Sequence, residues 1–322
     1  MDKQKETFVN DGFALSDADW ERLIDIARSL SIEVVYEGAE GDGVQNGIGK
    51  CAKECVDEGA NETERFANRD DVLNDSATEL PIHDLMSAML TIIIEGTPDE
   101  FVDFVQANNA LIMEAAAVDE TVTDLVILGY KKGVQANHGP SANNLGALYY
   151  LGELVEQNYQ KAAEYYQLAS NWGEAQATVN LGYIYEYGRI GEPDYGKAYM
   201  YYSLAASLSQ NSEALYKMGD LFNRGKPFGK DERRAFDLWF KSFNRAEGDE
   251  ELAQPAIRIA PLLLNGKEEI GIQSDPLEAL RFFSIAEVGL RKSIASGLTY
   301  YRGRLAEAIK GQQAAREMLD AR

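Results

Sequence analysis

From residue 141 onward, apolar residues recur at steps of three and four, in stretches broken by glycine-containing turns, which is the pattern of amphipathic helices. The stretches also repeat one another. The pairs Leu145-Gly146, Leu181-Gly182, Met218-Gly219 and Ile259-Ala260 stand 36, 37 and 41 residues apart. Each pair is followed by a glycine, at Gly152, Gly188, Gly225 and Gly266, and then by Asn158, Asp194, Asp231 or Asp275. Four residues later comes an alanine, at Ala162, Ala198, Ala235 and Ala279. Next are Tyr165-Tyr166, Tyr201-Tyr202, Leu238-Trp239 and Phe282-Phe283, with Ala169, Ala205, Ser242 or Ala286 three residues beyond. A glycine past the last helical turn takes the left-handed conformation that ends a helix. An Asn or Asp accepts the orphan amide hydrogens that open the next one. The unit is therefore helix, turn, helix, in four copies.

Gly146, Gly182 and Gly219 fall inside the first helix of their copies, where glycine costs about 1 kcal/mol against alanine. Close approach of the partner helix offsets such a cost. The aromatic pair and the small residue after it then alternate large and small groups along the second helix. One such hairpin cannot bury its apolar face alone, whereas a stack of them can.

These residues resemble the Sel1-like repeat family, a branch of the tetratricopeptide-like alpha/alpha solenoids, with Leu-Gly-x-x-Tyr-x-x-Gly in the first helix and Lys-Ala-x-x-Tyr-Tyr-x-x-Ala in the second. Leu145, Gly146, Tyr149 and Gly152, then Lys161, Ala162, Tyr165, Tyr166 and Ala169, follow that pattern, as does Leu181 to Ala205. The third copy departs from it at Arg234 and Leu238. The fourth has Ala260 for the glycine, Pro261 in its first helix, and a longer loop from Gly266 to Asp275. A kink is expected there. The resemblance spans about 141–290, with repeats at about 141–173, 174–210, 211–248 and 252–290. Residues 298–319 read as a polar capping helix. It implies an all-α superhelical solenoid that binds a protein or peptide.

The preceding part reads as mostly helical without resembling any family. Ser16 and Asp19 form a capping-box pattern with Leu15 and Trp20 across it, opening a helix to about Leu30. Thr97-Pro98-Asp99-Glu100 opens another, with Phe101, Phe104 and Val105 on its apolar face. Helices are also expected at 82–94 and 121–132, where Leu128-Gly129 echoes the repeat without its downstream spacing. Residues 37–49 are rich in glycine and acid and read as a mobile loop.

Charge separates the two parts. The chain has 322 residues, 45% hydrophobic, with 53 acidic against 31 basic side chains and a net charge of −22. Residues 1–140 hold 29 of the acids and 10 of the bases. Such asymmetry, with the Asn137-His138-Gly139-Pro140 punctuation, places a boundary between 120 and 141. The expected domains are 1–135, acidic, and 136–322, the solenoid. A net charge of this sign opposes binding to a phosphate backbone, so nucleic acid is not expected as a ligand. The longest apolar run, Leu85 to Ile94, is too short to cross a bilayer, and the first thirty residues carry no signal peptide. A cytoplasmic protein without membrane attachment is expected.

Little else in the sequence points to catalysis. Gly43 to Cys51 resembles a phosphate-binding loop ending at Gly49-Lys50, but its spacing is one residue too long and Cys51 replaces the magnesium-binding hydroxyl. Cys51 and Cys55, four apart, could supply half a zinc site with His83 or His138, yet four closely paired ligands are missing. Packed or free thiols are the better reading. No nucleophile elbow or zinc-hydrolase motif occurs. No cofactor, metal or enzymatic activity is expected.

What remains is surface. The position before each Leu-Gly pair is Asn144, Asn180, Lys217 and Arg258, and one turn on it is Ala147, Tyr183, Asp220 and Pro261. Asn144, Asn180, Tyr183, Tyr187, Lys217 and Asp220 are the candidate partner-binding residues, because amides can pair with an extended backbone and tyrosines offer flat area. The same column also reads as the solvated side of each helix. Two functions follow as expectations. One is a non-catalytic adaptor that binds a protein or peptide on the concave solenoid face. The other is an acidic inhibitor or immunity-type protein that neutralises a basic enzyme through residues 1–135.

Overall fold

The structure is a computed structural model that describes residues 15–30, 82–209 and 211–321. The loop expected at 37–49, the Gly43 to Cys51 segment, Cys51 and Cys55 lie outside the described residues. Those residues form fourteen α-helices and no strand. None of these helices is long and apolar enough to cross a membrane. They divide into two compact units. One runs to Leu145 and includes Glu153–Glu156, and the other comprises Gly146–Gly152 and the chain from Gln157 on.

The first unit contains α1 (Asp17–Ser29), α2 (Ile82–Glu95), α3 (Pro98–Ala107), α4 (Asn109–Ala116), α5 (Glu120–Gln135) and the start of α6 (Gly139–Leu151). Both expected capping boxes form: Ser16 accepts from the Asp19 amide, Thr97 accepts from the Glu100 amide, and each acid reaches back to its cap. Helix α5 is the centre of this unit. Its Val122, Leu125 and Val126 are wholly buried, and Arg22 and Lys131 bind Asp124 and Asp19 at 2.7 Å to tie it to α1. The last turn of α2 has no basic residue, and Lys132 of α5 supplies one, donating to the Ile93 and Ile94 carbonyls. Gly129, the faint echo of the repeat, is a real counterpart in packing, since the Phe101 ring lies flush against it.

The second unit stacks antiparallel helix pairs: the end of α6 with α7 (Tyr159–Asn171), α8 (Ala175–Glu186) with α9 (Tyr195–Ser209), α10 (Ser212–Arg224) with α11 (Glu232–Phe243), and α12 (Asp249–Asn265) with α13 (Pro276–Ala295). Gly152, Gly188, Gly225 and Gly266 have φ of 74°, 61°, 69° and 68°, as the turns require. Asn158, Asp194, Asp231 and Asp275 accept amide hydrogens at the next helix start. The glycine inside each first helix receives the second aromatic of its pair. Tyr166 lies on Gly146, Tyr202 on Gly182 and Trp239 on Gly219, so closely that a Cβ at Gly146 or Gly219 would come within 2.6 Å of the ring. That close approach is what offsets the cost of a helical glycine.

In the fourth copy α12 runs from Asp249 to Asn265 with Pro255 and Pro261 inside it. The C-terminal helix does not start at 298. A 3-10 turn occupies Thr299–Tyr301, and α14 begins at Arg302 and ends at Asp320. Nor is α14 polar throughout, because Ala308, Gly311, Gln312 and Ala315 are buried and Gly311 receives the ring of Phe283. The last repeat thus borrows its glycine from the helix that closes the stack.

Candidate functional site

The first helices of successive pairs expose one side to a groove of about 970 Å³, lined from α6 through α8, α10 and α12 to α14. Its floor is built on the glycine locks, with Tyr166 and Trp239 among the lining side chains. The residues just before and just after the Leu-Gly pairs point away from the buried aromatic, and most of them come together in the groove. Asn180, Tyr183, Tyr187, Lys217 and Asp220 all line it. Asn144 does not. It belongs to the first unit, where its amide meets the Tyr130 hydroxyl at 3.4 Å.

The middle of the column is not a solvated face. Lys217 is 3% exposed. Its ammonium meets the Glu186 carboxylate at 2.8 Å and lies 4.3, 5.0 and 5.7 Å from the ring centres of Tyr183, Tyr187 and Tyr202. Glu186 also accepts from the Tyr202 hydroxyl at 2.6 Å and from Arg224. Asp220 takes a two-pronged bond from Arg258, Nε to Oδ1 at 2.5 Å and Nη2 to Oδ2 at 2.6 Å, and a third from the Trp239 indole at 3.0 Å. Glu213 accepts from the Tyr183 hydroxyl at 2.6 Å, the Tyr216 hydroxyl at 2.9 Å and the Gln176 amide at 3.0 Å. Lys217 and Asp220, singled out as partner-binding residues, are therefore engaged within the fold. A buried charge without such partners would cost several kcal/mol.

Burial raises the Asp220 carboxyl, but the Arg258 charge and hydrogen bonds outweigh it and hold the group below its ordinary range. The tyrosines move the other way. Burial, then the nearby carboxylates, push Tyr202 and Tyr216 well above the usual phenol value, and burial with Tyr216 and Glu213 does so for Tyr183. They remain neutral hydroxyls that donate. What the groove offers to a ligand lies nearer its rim: Tyr187, 48% exposed, Leu151, 54%, and Tyr300, 71%.

Sequence reasoning missed Glu186, Glu213, Arg224, Tyr300 and Arg304 as groove residues. Glu186 carried a signal: it stands among Tyr183, Ile184, Tyr185 and Tyr187, where an acid inside an aromatic run marks a buried, partnered charge. Tyr300 and Arg304 carried none, because their place depends on how α14 folds back.

The other chemistry considered does not assemble. His138 is held between Ser141 Oγ at 2.8 Å and Asp99 at 3.0 Å in the first unit, while His83 lies 3.8 Å from its neighbour Asp84. Among the described residues no group of three or more His, Cys, Asp or Glu is placed to hold a metal ion.

The Sel1 repeat model matches residues 139–171, 175–209, 212–245 and 257–286. No curated protein matches the chain. Among solved structures, a Sel1 repeat protein from Oxalobacter formigenes is 21% identical, with a TM-score of 0.46 over 72% of this chain and 99% of that one. The c5321 protein, a protective antigen in uropathogenic Escherichia coli strains with an SLR fold, is 18% identical with a TM-score of 0.46, over 74% of this chain. The match spans about half, 54%, of the length of c5321.

Proposed function

We propose that this chain, which carries four Sel1 repeats, is a non-catalytic interaction scaffold whose groove receives an extended segment of a partner protein. Sel1-repeat proteins generally mediate protein–protein interaction, and the repeat fold is typically a scaffold. The single observation that carries the reading is the groove itself. It runs across the four first helices to α14, its inward acids Glu186, Glu213 and Asp220 are bonded within the fold, and it presents Tyr187, Leu151 and Tyr300 at the rim. Rigid aromatic area around a polar floor suits a peptide, because tyrosine contributes contact area at little entropic cost. A volume near the top of the roughly 300–1,000 Å³ range of small-ligand sites suits several residues of chain better than one metabolite.

The test is selection of a random displayed peptide library on the full-length protein. Recovered peptides are then titrated against wild type, Tyr187→Ala and Tyr300→Ala. Truncating an aromatic anchor typically costs about 2 kcal/mol or more, so a loss of more than about tenfold is expected with an unchanged melting curve. Peptides indifferent to both substitutions would refute the groove. The excess of acid in residues 1–140 supports a second reading, in which the acidic part holds a basic protein. Binding that ignores the groove variants and weakens steeply with salt would favour that reading.

A further inference from the structure

A net charge of −22 suggests at first a basic partner. The groove departs from that average. Its inward carboxylates, Glu186, Glu213 and Asp220, each accept three hydrogen bonds from internal donors, as described above. Its cations are not matched in the same way. Lys217 and Arg224 share the single carboxylate of Glu186, and Arg224 keeps 43% of its side chain exposed. Arg304 donates to the neutral amide oxygen of Gln254 and has no ion pair among the described residues. Beside the groove, Arg189 lies 5.8, 5.2 and 5.8 Å from the ring centres of Tyr150, Tyr159 and Tyr187 and donates to the Tyr150 hydroxyl at 3.3 Å, again with no ion pair among the described residues. One lining acid, Glu307, stands exposed and without an ion pair among the described residues, one turn from Arg304.

We infer that the groove selects an acidic segment of its partner protein, whose carboxylates bind the guanidinium groups of Arg224 and Arg304 while its apolar side chains lie on the tyrosines at the rim. This rests on the groove being the docking site. A guanidinium has five N–H donors in a planar fork, so each of these arginines retains several donors after its internal bonds, whereas each inward carboxylate already accepts three bonds at its roughly four lone-pair sites. Charge remote from the groove is screened beyond about 8–10 Å at physiological salt, while a partly enclosed pair is screened far less. Donors at the groove therefore matter more to a docked segment than the remote charge of the chain. Side-chain acids rather than a chain terminus are favoured because Arg224 and Arg304 sit on different helices, and one terminal carboxylate would leave the other unanswered.

The probes are short peptides with blocked ends and one scaffold, alternating Glu with Tyr and Leu, and the same scaffold with Gln or with Lys in place of Glu. They are titrated by fluorescence polarisation against the full-length protein. The Glu peptide is expected to bind at least about tenfold more tightly than the Gln and Lys versions. Arg304→Gln is expected to remove most of that preference without weakening the Gln peptide, while Glu307→Gln tightens the Glu peptide. Gln254 stays bonded to Arg258 in the Arg304 variant, and Arg224→Gln repeats the test if its melting temperature falls. Equal or tighter binding of the Lys peptide overturns the inference, as does indifference to both arginine substitutions or no binding of the Glu peptide at millimolar concentration. A gain seen only when the peptide's carboxyl end is left free overturns it in favour of a terminal carboxylate. If Tyr300→Ala weakens all three peptides alike and none is preferred, the groove stands and charge selection fails. If Tyr300→Ala and Tyr187→Ala change none of them, the groove itself fails.

Discussion

Glu186→Gln is the most direct test of the network beneath the groove. It keeps the size of the side chain and an acceptor for the Tyr202 hydroxyl, but removes the charge facing Lys217 and Arg224. The Glu186 side chain is 1% exposed and that of Lys217 4%, so the ammonium would be left buried without a counter-ion. Breaking a buried pair in this way costs about 3–5 kcal/mol. Two compensations reduce it. Lys217 still donates to the Tyr187 hydroxyl at 3.2 Å, and it still faces three tyrosine rings, each worth roughly 0.5–2 kcal/mol. The rings are engaged already, so they limit the loss without cancelling it, and a net cost of about 2–4 kcal/mol is expected. Urea unfolding followed by tryptophan fluorescence reads it, with Trp172 and Trp239 both in the repeat unit. Replacing a buried pair by apolar groups of similar volume is often neutral, so Glu186→Gln with Lys217→Met should recover at least half of the single-variant loss. A Glu186→Gln cost under about 1 kcal/mol, or a double variant as unstable as the sum of both singles, would refute the view that this pair is an interdependent buried charge.

Gly182→Ala should destabilise the repeat unit by about 1–3 kcal/mol despite its better helix propensity, because a Cβ there falls inside the fully buried Tyr202 ring. Gly303→Ala, at a helical glycine with nothing within 4 Å of the new Cβ, should instead raise the melting temperature slightly, and both follow from differential scanning calorimetry. The Asp220 carboxyl is held below its ordinary value, so its contribution is complete above the unfolded value of about 3.9 and is lost as pH falls through the folded one. Wild type should accordingly lose stability faster below about pH 4 than Asp220→Asn, which lacks that contribution at every pH, and urea midpoints across an acid series check this. Asp275→Ala should cost about 1 kcal/mol by leaving the Leu277 and Glu278 amides without their cap, with Asp275→Asn close to wild type in the same unfolding assay.

The parts of the structure that could be read in advance are those set by short-range chemistry. The four turn glycines, the Asn and Asp caps and the capping boxes at Ser16 and Thr97 are each decided by the conformation of a few neighbouring residues, which the residue types themselves dictate. Close packing at Gly146, Gly182 and Gly219 was also legible, because a glycine inside a helix needs a compensating contact and the repeat supplies an aromatic at fixed spacing. Gly129 and Gly311 show the limit of that reasoning. Each receives a ring, Phe101 and Phe283, but outside the repeat spacing, so no period announced the pair.

Sequence alone thus determined the helical hairpin and its period, because capping, turn conformation and 3.6-residue periodicity act over a few residues. Only the tertiary structure decided what the groove-facing column does. Lys217 and Asp220 look like open polar side chains along one helix, yet the fold gives Lys217 to Glu186 and Asp220 to Arg258, 38 residues further on. It also brings Tyr300 and Arg304 to the same groove from the closing helix. A charge is free or spent according to which neighbour lies within hydrogen-bonding distance, and for groups one repeat apart that is set by how the helices stack.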